Sequence, residues 1–121
     1  MKNPKNRKFG LYLEDMLLSM ERVEEYIGKL EFIQFKQNYL VVDAVIRNFE
    51  IIGEASKHIP DELVAKYPQL PWRKMNNLRN IVTHEYFGID YELIWEIARH
   101  DLPNNINDLR QLIEREKSML G

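Results

Sequence analysis

Between Phe9 and Leu30, apolar side chains return every three or four positions, at Leu13, Met16, Leu17, Met20, Val23, Ile27 and Leu30. Only an α-helix lays such a series along one face, so the segment reads as an amphipathic helix with Glu21, Glu24 and Glu25 turned to solvent. The same period returns in Val41, Val42, Val45, Ile46, Phe49, Ile52 and Ala55. It predicts a second helix from about Tyr39 to His58, stopped by Pro60. Asn38 is placed to cap that helix, and residues 31–38 read as a connector. Val42, Ile46, Phe49 and Gly53 form a tight seam along it, where Gly53 would let a partner helix come close.

Punctuation residues divide the rest of the chain. Asp61-Glu62-Leu63-Val64 predicts a short helix capped by Asp61. Tyr67 to Trp72, with Pro68 and Pro71, reads as an ordered loop anchored by the tryptophan. A third long helix opens at Pro71 or Trp72 and runs to about Tyr86, with Gly88 as its stop. Asp90 caps a further helix carrying Leu93, Ile94, Ile97 and Ala98, and Asp101-Leu102-Pro103 starts the last one. No strand alternation and no internal repeat interrupts the series. The expected fold class is therefore all-α, an antiparallel bundle of about four to five helices. Residues 1–121 make one domain, with residues 1–8 a basic, flexible N-terminus.

Composition narrows the setting. With 45% hydrophobic and 30% charged residues, the chain has the balance of a soluble globular protein rather than a disordered one. The absence of cysteine excludes a disulfide framework and a thiolate metal site, and fits a cytoplasmic protein. The start, MKNPKNRKFG, leads into no apolar run, so neither a signal peptide nor a membrane span is expected. The net charge of −2 conceals a basic island: residues 57–84 carry five basic and two acidic side chains, between two acidic stretches. A nucleic acid bound by such a chain would be held at a focused site rather than along a broad basic face.

That island ends in Arg79-Asn80-Ile81-Val82-Thr83-His84-Glu85-Tyr86, which places a fixed cation, an amide, an imidazole and a phenol within about two helical turns. Asn80 and His84 share a helix face, whereas Arg79 and His84 stand about 140° apart. Two copies of the helix facing one another across a two-fold axis would close that gap. Guanidinium suits phosphate oxygens, and imidazole moves protons near neutral pH. Spacing alone leaves another reading open, in which His84 is a helix-end residue matched to the helix dipole and Tyr86 a packing aromatic. No histidine spacing suits a metal, so neither metal nor cofactor is expected. Glu50 and Glu54 share a face and read as solvated carboxylates or partners for Arg47, and Trp72 and Trp95 as packing anchors.

The pieces Arg47-Asn48, Ile52-Gly53-Glu54-Ala55, Tyr67-Pro68, Pro71-Trp72 and Arg79-Asn80 through His84-x-Tyr86 succeed one another in an order that resembles the HepT-like proteins of the HEPN superfamily. The resemblance covers about residues 10–115. It implies a homodimeric helical toxin of a type VII-like toxin–antitoxin pair, acting as a metal-independent endoribonuclease. It further implies that Arg79 and His84 are the catalytic pair, with Asn80 shaping the site. The partner it implies is a minimal, MntA-like nucleotidyltransferase antitoxin that transfers AMP onto Tyr86. Members of the superfamily also serve as non-catalytic modules that bind a nucleotidyltransferase or a nucleotide. A purely structural dimer is the third possibility. Growth arrest on expression of this chain alone, relieved by the partner, separates a toxin from a binding module, and thermal stability compared with activity in His84→Ala separates it from a structural dimer.

Overall fold

The computed structural model describes residues 4–82 and 88–120, with side-chain placements over 9–81 and 88–117. Every regular element among them is helical. In chain order these are α1 (Pro4–Ile27), α2 (Phe32–Gln37), α3 (Tyr39–Ser56), α4 (Asp61–Lys66), α5 (Trp72–Val82), α6 (Tyr91–Glu96), a π-helical turn (Ile97–Asp101) and α7 (Leu102–Leu120). The all-α bundle expected from the apolar period is what forms. It rests on the four longer helices α1, α3, α5 and α7, linked by the three six-residue ones.

The core obeys the period directly. Leu13, Met16, Met20, Val23 and Ile27 of α1 are buried against Val42, Val45, Phe49 and Ile52 of α3, and α7 closes over them with Leu102, Ile106, Leu109 and Leu112. Each such side chain withdrawn from water stabilises the fold by roughly 1.5–3 kcal/mol. Among the described residues, Gly28 after α1 and Gly88 take positive φ, 44° and 78°, a region that penalises any Cβ. No helix among the described residues is long and apolar enough to cross a membrane.

Local chemistry departs from the sequence expectations at four places. Helix α1 opens at Pro4 rather than Phe9, since a proline in the first turn forfeits no hydrogen bond. The expected connector 31–38 contains α2, because Glu31 and Gln34 form a reciprocal capping box and Phe35 is fully buried. Asn38 does cap α3, its side chain accepting from the Val41 N–H at 3.2 Å. At α4 the cap position falls on Pro60, and Asp61 stands in the first turn, where its charge still favours the helix N-terminus.

The fourth departure is the largest. Asp90 caps α6 as expected, accepting from the Leu93 N–H at 3.1 Å, but Asp101 starts no new helix. The chain runs from α6 through the π turn into α7 without a break, the Leu102 N–H donating to the Ile97 carbonyl five residues back. Pro103 has no N–H, and its ring would crowd the carbonyl of Arg99 in an ordinary α turn. A wider turn just before it relieves that conflict. His100 accordingly lies inside a continuous helical run rather than at a terminus, 3.9 Å from Glu96. The same turn aims Arg99 at the α1–α2 connection. There its guanidinium donates to the carbonyls of Gly28 and Leu30 at 3.0 and 2.7 Å and lies 4.8 Å from the Trp95 ring centre.

Both tryptophans are packing anchors. Trp95 stands 5.1 Å from the Phe35 ring, and buried Trp72 donates its indole N–H to the Tyr67 carbonyl at 2.9 Å. Tyr67 ties the loop before α5 to α7, its hydroxyl donating to the buried Glu116 carboxylate at 2.6 Å, with Lys66 at 3.0 Å from the same oxygen. Burial, then this hydrogen bond and the charge of Glu116, push the Tyr67 phenol up to about 12. The folded-state value is above the ordinary one of about 10. Its contribution to stability is therefore complete below pH ~10 and is lost as pH rises towards 12. Tyr67→Phe is expected to cost about 1.5–3 kcal/mol near neutral pH. The difference from wild type, measured by urea unfolding, should shrink steadily between about pH 10 and 12; a constant difference would contradict the linkage.

Candidate active site

Helix α5 carries the front half of the eight-residue motif, and its position is set by α3. An added Cβ on Gly53 would lie 2.9 Å from the backbone N of Arg79 and 3.1 Å from its Cβ, distances that only glycine permits. The close approach expected at Gly53 is thus made by the turn of α5 that bears the arginine. Ser56, one turn further on, locks the seam with its single hydroxyl proton, its Oγ lying 2.5 Å from Asn76 Oδ1 and 2.9 Å from the Gly53 carbonyl oxygen. Basic-island residues and α3 are brought together here by packing, not by sequence proximity.

The Arg79 side chain reaches over α3 and donates from Nη1 to Glu54 Oε2 at 2.7 Å. Both side chains are about half exposed, 51% and 53%, so the pair sits at the rim of a groove rather than in the core. This groove, of about 370 Å³, lies between α1 and α3 and is lined by Tyr12, Asp15, Arg47, Glu50, Glu54, His58 and Arg79. Arg47 pairs with Glu50 at 3.6 Å, which leaves Glu54 to Arg79 and separates the two carboxylates that share a helix face. His58 stacks on Tyr12, ring centres 4.3 Å apart and planes 12° apart, and its Nε2 stands 4.0 Å from Glu54 Oε1.

Asn80, the next residue, turns away. Its side chain donates to Asn77 Oδ1 at 2.9 Å and lines a second groove of about 760 Å³ with Phe32, Lys36 and the segment 88–93. Consecutive helical residues are about 100° apart, so one turn of α5 serves both grooves. His84 and Tyr86 lie outside the described residues. Of the four motif residues singled out from sequence, Arg79 and Asn80 are therefore placed, adjacent and on different faces. The partner of Arg79 is the group that sequence reading missed. Glu54 is 25 positions away and carries no local mark of its role beyond following Gly53.

Comparison with known proteins places this geometry in a family. The model described as Ribonuclease HepT-like matches residues 16–115. A Methanocaldococcus jannaschii protein named "Putative RNase MJ1380" is 45% identical over 97 residues, 80% of this chain and 89% of its own. "Putative RNase MJ0127" of the same organism is 39% identical over 103 residues, 85% of each chain. "Probable ribonuclease HepT" of Thermococcus cleftensis is 40% identical over 93 residues, 77% of this chain and 84% of its own. No solved structure matches significantly. The chain belongs to the ribonuclease HepT-like family of the HEPN superfamily. The resemblance drawn from the ordered sequence pieces is borne out at that level.

Proposed function

We propose that this protein is a metal-independent endoribonuclease and the toxin of a toxin–antitoxin pair, working as a homodimer whose two Arg79–His84 motifs face a shared cleft. The observation that carries the reading is Arg79: within a family whose relatives bear ribonuclease names, it stands half exposed, with Glu54 as its only hydrogen-bond partner among the described residues. Guanidinium has five N–H donors in a planar fork. Glu54 engages Nη1, and no other described residue accepts from Nη2 or Nε, the donors that would meet phosphate oxygens.

The chemistry comes from the side chains. His84 takes the proton from a ribose 2′-hydroxyl, which attacks the adjacent phosphorus, or returns one to the departing 5′-oxygen; the second protomer's copy supplies the complementary role. Arg79 stabilises the charge that accumulates on the pentavalent phosphorus. RNA is the substrate because the nucleophile is its own 2′-hydroxyl. Incubation of the protein with RNA in EDTA should yield cleavage that disappears in His84→Ala. Cleavage that requires added metal, or that persists in that variant, would refute the mechanism.

Control falls to a minimal nucleotidyltransferase partner that transfers AMP to Tyr86. Two residues beyond His84, a bulky anionic adduct obstructs the cleft and competes for Arg79. Co-expression with the neighbouring nucleotidyltransferase is expected to raise the intact mass by one or more AMP units, and Tyr86→Phe to abolish the shift. An unshifted mass, or a shift kept in Tyr86→Phe, would count against this control.

A further inference from the structure

We propose that Glu54 is a positioning residue for Arg79: its carboxylate fixes one edge of the guanidinium so that the opposite edge is presented to the substrate phosphate. The proposal rests on the assignment of Arg79 to phosphate recognition above. Two adjacent residues of α3 hold the arginine at two points. Gly53 admits its backbone to contact, and Glu54 accepts from Nη1 at 2.7 Å. An unrestrained arginine side chain loses much rotamer freedom on binding, and a fixed partner removes that loss beforehand.

The surroundings favour orientation over the other roles this contact could have. Among the described residues, the groove beside Arg79 holds Asp15, Glu50 and Glu54 against Arg47 and Arg79, which gives no surplus of cations with which to track an RNA backbone. Glu50 is already engaged by Arg47, leaving Glu54 free to face Arg79. Glu54 is itself buttressed, since its other oxygen faces His58, whose ring is held flat on Tyr12. At 4.0 Å the His58 contact is too long for a hydrogen bond and limits the carboxylate's swing rather than competing for the arginine. Nor does fold stability account for the pair, because half-exposed ion pairs contribute little to it.

The test compares Glu54→Ala and Glu54→Gln in wild-type and Arg79→Lys backgrounds, with steady-state RNA cleavage and the NMR signal of the Arg79 Nε–H as readouts. Glu54→Ala should lower kcat about tenfold with KM within about twofold, and Glu54→Gln, which keeps an acceptor oxygen, should recover most of the loss. In Arg79→Lys, the same alanine change should add nothing. The Arg79 Nε–H signal should move towards that of a free arginine in Glu54→Ala and stay near its wild-type position in Glu54→Gln. An unchanged signal, an unchanged or increased kcat, a change confined to KM, or full additivity with Arg79→Lys would each overturn the proposal. If Arg79→Ala itself cleaves at the wild-type rate, the assignment of Arg79 fails, and that outcome is read without any Glu54 variant. If Arg79→Ala is inactive while Glu54→Ala is normal, only the positioning role fails.

Discussion

His84→Ala is expected to reduce the rate of RNA cleavage by about 10²–10⁴ while leaving the thermal transition close to that of wild type. The size of the effect is that expected of the proton-transfer role proposed for His84. Arg79→Ala is expected to come next at about 10²–10³, in the range for removing a group that stabilises transition-state charge. Arg79→Lys should recover little, since an ammonium cannot donate in the planar fork that fits phosphate. Stability should barely change in either arginine variant, because the Arg79–Glu54 pair is half exposed and such pairs are worth about 0–1 kcal/mol. A large loss of Tm together with activity would instead assign these side chains to the scaffold.

Gly53→Val is expected to disturb the fold and the site together. Its branched side chain would enter a space where even one Cβ falls 2.9 Å from the Arg79 backbone N. The obstructing atom is main chain, so relief requires α5 to move away from α3 rather than a side chain to turn. Overpacking of this kind costs about 1–3 kcal/mol, and each kcal/mol lowers Tm by roughly 2–8 °C in domains near this size. Activity should fall with it, since the displaced turn carries Arg79 away from Glu54. Gly53→Ala is the sharper control. Alanine in a helix interior is intrinsically favoured over glycine by about 0.5–1 kcal/mol. A Gly53→Ala protein more stable than wild type would show that the helices do not press together at this residue.

The seam between α3 and α5 also marks how far the sequence could be read. Gly53 stood out as a close-approach position because it falls on the apolar stripe of a strongly periodic helix, and the structure puts a neighbouring backbone there. Asn38 and Asp90 announced helix starts through chemistry confined to a few residues, and each caps its helix as its type predicts. Asp101-Leu102-Pro103 carried the same local signals and misled. A cap and an early proline normally start a helix, but here a π turn lets the previous helix run on through the proline. Nothing local distinguishes the two outcomes. They differ in whether Ala98 and Leu102 are both buried in the same core, and both are.

The sequence by itself determined the class of fold, the faces of α1 and α3 that are buried, and the composition of the motif that begins at Arg79. These depend on periodicity and short-range chemistry, which are written along the chain. Tertiary structure decided which groups meet. It brought Glu54 to Arg79 across 25 positions, stacked His58, just beyond α3, on Tyr12 of α1, and sent Asn80 into a different groove from its neighbour. Contacts of that kind depend on how helices cross, and crossing is set by the packing of whole faces rather than by any residue in the motif.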